Sequence, residues 1–324
     1  MILVYTRSEG AVSATDLVET GEISDEVVWI DLLRPTAEEA RAVERALGIE
    51  MPTREEMREI EVSSRLYQEG DGTYMTATVI TRAETEMPEA AAITFILAGD
   101  CLVTLRYTEP QPFTTFAQRA QRQMVLRASG EMVLVGLLDA VVDRIADILE
   151  LVGGDVDRLS HDVFASGKAE NAEPPDFNDI IQRIGRDGDL ISKSRESLVS
   201  LSRMLTFVTT KTETPALREA IPRIATLSRD VQSLADHATF LSNKVNFLLD
   251  ATLGMLNIAQ TDIIKIFSVA AVVFLPPTLI ASIYGMNFEL MPELGWRWGY
   301  PLALVLMVVS AVLPYLYFKH RRWL

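Results

Sequence analysis

Two uncharged apolar runs, close together near the C-terminus, constrain this chain most. Residues 266–283 read IFSVAAVVFLPPTLIASI, eighteen residues without a charge, and residues 300–318 read YPLALVLMVVSAVLPYLYF, nineteen more. Wound as a helix, either run is long enough to cross a hydrocarbon core of roughly 30 Å. Buried core helices share this composition. However, a short polar loop separates these runs, and Trp296, Trp298, Tyr300, Tyr315, Tyr317 and Trp323 cluster at their ends, where membrane helices carry aromatic belts. We expect spans over 263–286 and 299–318, joined by a loop over 287–298. The tail at 319–324 holds Lys319, Arg321 and Arg322, whereas the loop holds only Arg297. Cationic residues stay inside, so both termini are expected in the cytoplasm and the loop outside.

The rest of the chain is the opposite in character. From residue 261 onward, Lys265, Arg297, Lys319, Arg321 and Arg322 outweigh Asp262, Glu289 and Glu293, a net of +2, so of the whole chain's −15 the first 260 residues carry −17. An acidic body repels nucleic acid, which needs a cationic footprint, and suits a protein that meets cations. The single cysteine, Cys101, leaves no disulfide framework and no thiolate cluster. The N-terminus, MILVYTRSEG, has no basic stretch followed by a long apolar run, so no signal peptide is expected and the body is placed in the cytosol.

Within the body, residues 1–110 read as an α/β domain. VVWIDL at 27–32 is a strand, and TAEEARAVERALGI at 36–49 is an amphipathic helix with a threonine cap and early glutamates. TYMTATVIT, AAAITFIL and CLVTLRY are further strands, with EGDG and AGD as turns, which predicts an antiparallel or mixed sheet. From about Pro112 the pattern turns helical over 111–214. Pro174-Pro175 interrupts it, and Pro215 and Pro222 mark the start of a last helix whose stalk part runs over 215–262.

That helix has a seam. Ile224, Leu227, Val231, Leu234, Ala238, Leu241, Val245, Leu248, Thr252 and Met255 alternate at spacings of three and four without a slip. The seam packs either on its own domain or on symmetry mates, and we expect the latter because nothing breaks the helix before the first span. A second stripe continues through the span: Thr261, Ile264, Ser268, Ala271, Leu275, Thr278, Ser282 and Gly285. Four of these eight bear hydroxyls, so the stripe serves either tight helix packing or contact with water. Two spans cannot enclose a channel, but a closed ring of copies can. At the outer end, Asn287 then offers a neutral amide to the waters of a hydrated magnesium ion, which dehydrates reluctantly. Glu289 and Glu293 stand just beyond it, as solvated loop residues or as collectors of cations; carboxylates at the constriction itself would hold an ion too tightly to release it.

Tyr284-Gly285-Met286-Asn287, with Phe288 and the loop Met291-Pro292-Glu293-Leu294, resembles the CorA family of magnesium transport proteins, and the run NIAQTDIIKIFSVAAVVFLPPTLIASIYGMNFELMPEL resembles its proteobacterial branch. The resemblance implies a homopentamer in the bacterial inner membrane, with a funnel-shaped cytoplasmic domain, a long stalk helix and two C-terminal transmembrane helices. It implies influx of Mg2+, with Co2+ and often Ni2+ also carried, and closure by cytoplasmic Mg2+ bound between subunits. By position, Asn287 with Gly285 and Met286 forms the outer selectivity ring beside Tyr284. Thr278 is a polar pore position, and Leu275, Phe267 and Ile264 form the hydrophobic constriction. The chain departs from the family at the inner mouth: Thr261 stands where asparagine is usual, and Ala259 where this branch often has glutamate. No carboxylate is matched to the regulatory metal.

An enzyme reading finds no constellation. His161, His237 and His320 are far apart, and no phosphate-binding glycine loop, nucleophile elbow or zinc-protease motif occurs. Asp187-Gly188-Asp189 is a fragment of a calcium loop without its remainder, and reads as a polar helical turn. Two other classes stay open: a Zn2+ transporter of the same superfamily, disfavoured by the scarcity of histidine and cysteine, and a membrane-tethered cation sensor.

Overall fold

The computed structural model describes residues 1–7, 10–13, 24, 26–85, 87–123, 129–165, 176–211, 215–286 and 291–321. It divides into two units, Met1–Leu249 and Asp250–Leu324.

The first unit is built on a seven-stranded sheet. Its strands are β1 (Ile2–Thr6), β2 (Gly10–Ser13), β3 (Val27–Leu33), β4 (Leu66–Glu69), β5 (Gly72–Thr81), β6 (Glu89–Ala98) and β7 (Cys101–Arg106), in the order β2-β1-β3-β7-β6-β5-β4. The sheet is mixed, because β3 and β7 run parallel while the other pairs are antiparallel. The four strands expected from the sequence are present. β1, β2 and β4 are additional.

Helix α1 (Ala37–Leu47) begins and ends as its sequence directs. Thr36 Oγ1 accepts from the Glu39 amide at 3.2 Å while Glu39 Oε2 accepts from the Thr36 amide at 2.8 Å, a reciprocal capping box. Gly48 then takes a left-handed φ of 66°, which terminates the helix at no steric cost. Val43 packs from α1 into one face of the sheet with Ile30, Leu32, Ile96 and Val103. The other face is aromatic. Trp29 lies 5.7 Å from Phe116 and 6.5 Å from Phe113, ring centre to ring centre. Both phenylalanines belong to α3 (Gln111–Gln123), which follows the short α2 (Val62–Arg65) in chain order. With both faces covered, β3, β5 and β7 are buried along their whole length.

The sheet contains a buried charge. Asp31 on β3 pairs in register with Thr104 on β7 and accepts from its hydroxyl at 2.8 Å. Arg106, two residues on, closes on the same carboxylate with Nε at 2.9 Å and Nη2 at 2.7 Å. Trp29 Nε1 donates to Thr104 Oγ1 at 3.0 Å, so the hydroxyl is used as both acceptor and donor. Cys101 is buried, and desolvation pushes its thiol up to about 12, so it is no thiolate at neutral pH.

Three long helices complete the unit: α4 (Gly130–Ala165), α5 (Phe177–Lys211) and the first part of α6 (Pro215–Tyr284). Here one expectation is corrected. Ile224, Leu227, Val231, Ala238, Leu241, Val245 and Leu248 are all buried within a single copy. A Cβ on Gly153 of α4 would sit 3.8 Å from Leu241, and one on Gly188 of α5 would sit 3.6 Å from Val245. Arg223 pairs with Asp139 at 2.8 Å, Lys244 pairs with Asp157, and Phe247 stacks on Phe164. The seam is therefore filled by α4 and α5 of the same chain and is not free for a symmetry mate. Three-four spacing marks a buried helix face without saying whose atoms bury it.

The second unit holds the rest of α6, a 3₁₀ turn at Pro292–Gly295 and α7 (Gly299–His320). Helix α6 has 70 residues, which makes it roughly 105 Å long at 1.5 Å per residue.

Candidate functional site

Helices α6 and α7 are each long and apolar enough to cross a membrane, and the apolar stretch of each is almost wholly exposed. A core helix of a soluble domain would be covered. Phe267, Phe274 and Leu275 are 65–72% exposed, an arrangement water would oppose and lipid would favour. Trp296, Trp298 and Tyr300 gather at one end of α7, and Tyr315 and Tyr317 at the other, where Arg321 lies over the Tyr317 ring at 5.8 Å.

Helix α6 is covered on one side only in this stretch. Val269 on α6 and Ala303 on α7 are buried, and Val273, Pro276, Pro277 and Ile280 continue the Val269 side as half-buried positions. The stripe Thr261, Ile264, Ser268, Ala271, Leu275, Thr278, Ser282 and Gly285 is exposed throughout. Packing within one chain therefore does not account for its small and hydroxyl-bearing residues. At about 100° per residue, Phe267 lies roughly 60° from the Ile264 line, on the rim of the stripe.

Two of the four hydroxyls in this stripe have a defined orientation. Thr261 Oγ1 donates to the Asn257 carbonyl at 2.8 Å, and Thr278 Oγ1 donates to the Phe274 carbonyl at 2.7 Å. Each hydroxyl has spent its proton within its own helix, so what it presents outward is oxygen lone pairs. Those accept hydrogen bonds from water, including the outward-pointing hydrogens of water bound to a cation. Near Thr278 the backbone changes as well. Pro276 and Pro277 carry no N–H, so the Val272 and Val273 carbonyls lose their usual partners one turn back, yet the helix continues through both prolines.

At the C-terminal end of α6, the Gly285 amide closes the last turn on the Ala281 carbonyl at 2.9 Å, and Met286 follows on Ile283 at 3.3 Å. A Cβ on Gly285 would stand 3.1 Å from that Ala281 oxygen, tighter than side chains normally tolerate. Tyr284 is half-buried and Met286 is exposed. Asn287 and Glu289 lie outside the described residues, as does the side chain of Glu293.

Among the described residues no three histidine, cysteine or acidic side chains converge to hold a metal. One carboxylate in the body stands out. Asp187 lies inside α5, so Asp187-Gly188-Asp189 is a helical turn, and Asp189 is engaged with Lys193 one turn on. Asp187 is only 5% exposed, its Oδ2 has no hydrogen-bond partner among the described residues, and it lines a cavity of about 200 Å³ with Asp155 and Glu84. Burial and then the Asp155 charge push its carboxyl up to about 6. Sequence alone marks it only as a polar turn, because nothing in the local pattern tells which of two aspartates faces inward.

The CorA-like Mg2+ transporter protein family matches residues 24–320. The chain is 35% identical to the magnesium transport protein CorA of Pasteurella multocida over 324 residues, covering 100% of both proteins. It is 34% identical to the protein of that name from Salmonella typhimurium over 324 residues, again covering 100% of each. Among solved structures, the complete CorA magnesium transporter from Methanocaldococcus jannaschii superposes with a TM-score of 0.75 at 17% identity, covering 100% of this chain and 99% of that one. The full-length CmaX protein superposes at 0.67 with 12% identity, covering 99% and 97%. The chain belongs to the CorA-like Mg2+ transporter family.

Proposed function

We propose that five copies of this chain form a funnel-shaped channel in the bacterial inner membrane that admits Mg2+ passively, with Co2+ and Ni2+ as alternative cargo. The observation that carries this reading is the exposed stripe of α6, whose threonine hydroxyls have their protons tied back and offer only acceptors. A ring of such helices suits a cation that keeps its waters. Asn287, with Gly285 and Met286, forms the outer selectivity ring beside Tyr284, and Glu289 and Glu293 concentrate cations beyond it. Leu275, Phe267 and Ile264 make the apolar constriction, and Thr261 takes the polar position at the inner mouth. The spans are 263–286 and 299–318, and both termini lie in the cytoplasm. A divalent ion gains about 4.6 kcal/mol per 100 mV on entry, so the membrane potential suffices as a driving force.

Cytoplasmic Mg2+ bound to the acidic body closes the channel. Because no three candidate ligands converge among the described residues of one copy, this ion draws its carboxylates from neighbouring copies. The deciding experiment is flux into liposomes with Mg2+, Co2+, Ni2+ and Zn2+ in competition. Mg2+ uptake that Asn287→Ala abolishes without altering the oligomer is the expected result. Uptake of Zn2+ in preference to Mg2+, or unchanged flux in the variant, would reject the reading.

A further inference from the structure

Strand β4 ends early. It pairs with β5 only over Gly72–Met75, so the outer edge of β5 from Thr76 onward has no neighbouring strand among the described residues. Helix α5 caps part of that edge: Ser200 Oγ accepts from the Thr78 amide at 3.0 Å, and Ser197 Oγ donates to the Thr78 carbonyl at 2.6 Å. Beside this cap the missing strand leaves a cavity of about 540 Å³, lined by Arg65, Arg195 and Arg203 together with Thr76 and Thr78. A second cavity of about 290 Å³ shares Arg65, Thr78 and Glu196 with the first and adds Arg54 and Arg58.

Five arginines thus line the two cavities in a chain where carboxylates outnumber lysines and arginines 45 to 30. The carboxylates among the lining residues are Glu196 and Glu89, and Glu89 is already held by Arg82 at 2.9 Å. Among the described residues, Arg58, Arg195 and Arg203 have no carboxylate partner, and Arg54 lies over the Tyr107 ring at 5.1 Å instead. Arg65 is aimed by bonds to the Glu59 carbonyl and, at 3.1 Å, to Thr78 Oγ1. Thr108 Oγ1, on a residue that lines the second cavity, is buried with no hydrogen-bond partner among the described residues. The first cavity also has apolar lining that is open to solvent, with Ile60 at 86% and Val62 at 47% exposure.

We propose that this paired cleft binds a nucleoside polyphosphate. Arginine forks along the cleft and an unpartnered hydroxyl match phosphate oxygens, which accept two parallel N–H bonds at a time. The apolar wall and the combined volume exceed what inorganic phosphate would fill and suit a nucleoside. Arg195 and Arg203 stand two turns apart on α5 and face the cavity together. This goes beyond the proposed transport and holds or fails independently of it, since binding is measured without flux.

The test is isothermal titration of the full-length protein in detergent, with EDTA present, using ATP, pyrophosphate and adenosine as separate probes. ATP should bind with a dissociation constant below about 1 mM, and binding should weaken as salt rises. The Arg195→Gln/Arg203→Gln double variant should lose about tenfold or more, with its melting temperature unchanged because both side chains are exposed. Absence of ATP binding, equal binding by the double variant, or pyrophosphate binding as tightly as ATP would each overturn the assignment. A double variant whose oligomer falls apart while neither protein binds ATP would show a subunit contact instead, and would overturn it too.

Discussion

Thr261 and Thr278, seventeen residues apart on one helix, dispose of their hydroxyl protons in the same way: each donates to the carbonyl four residues back. Both then present lone pairs on the exposed stripe. If these oxygens take up hydrogens from the waters of a passing ion, Thr278→Val, which keeps the shape and loses the oxygen, should cut Mg2+ flux about twofold to tenfold. That corresponds to roughly 0.5–1.5 kcal/mol for one lost hydrogen bond. Thr278→Ser should restore it. Equal flux from wild type and Thr278→Val in liposomes would remove this oxygen from the pathway.

The filled seam makes a prediction about mass action. Leu241→Ala opens a cavity against α4 inside one copy and should cost about 2–5 kcal/mol of unfolding free energy. Because the contact is within the chain, the loss should not depend on protein concentration, and native mass spectrometry should find the same oligomer as wild type. A stability loss that vanishes at high concentration would return the seam to the subunit interface.

The pair of Asp31 and Arg106 is buried, with side chains 2% and 7% exposed. Removing one partner strands the other charge, so Asp31→Asn should destabilise the body by about 3–5 kcal/mol in urea unfolding. The double change Asp31→Leu/Arg106→Met should cost less than either single one, because it leaves no orphaned charge. A double variant worse than both singles would mean that the pair supplies more than compensation for its own desolvation.

Asp187 makes stability depend on pH with a defined sign. Its carboxyl is raised from an ordinary 3.8 to about 6, so the folded body holds a proton that the unfolded chain has released. Stability should be unaffected by this group below about 3.8, fall as pH rises from there to about 6, and stay lowered above that. Asp187→Asn should therefore be more stable than wild type at pH 7.5, by on the order of 2 kcal/mol, with the gap closing near pH 4. Thermal melts of both proteins across that range check it; a gap that persists at pH 4 would assign the gain to something other than the carboxylate.

The sequence shows where elements lie more clearly than what they touch. Thr36, Glu39 and Gly48 announce α1 because caps are local chemistry, and the apolar run before Tyr284 announces the membrane part of α6. Strand β4 escapes notice because Leu66–Glu69 is four residues with exposed polar positions, too short to alternate. The seam was legible as a buried face but not as an intrachain one. Asp31 sits in a run of strand residues whose pattern says only that they are buried; its partner Arg106 lies 75 residues away, and only the sheet register joins them. The stripe was legible as residues, and its meaning came from finding it uncovered.

Pro276 and Pro277 give α6 a mechanical property of its own. Elsewhere in its membrane part no proline removes a backbone donor, whereas at this level two successive rungs are missing. Thermal flexing collects where resistance is least, so the rod carries a crease at a known height, level with Thr278 and well away from Thr261. Spin labels placed either side of the prolines should show a broader distance distribution than a pair spaced equally around Thr261. In the proposed ring of copies, a conduit lined by such rods changes calibre first at the crease.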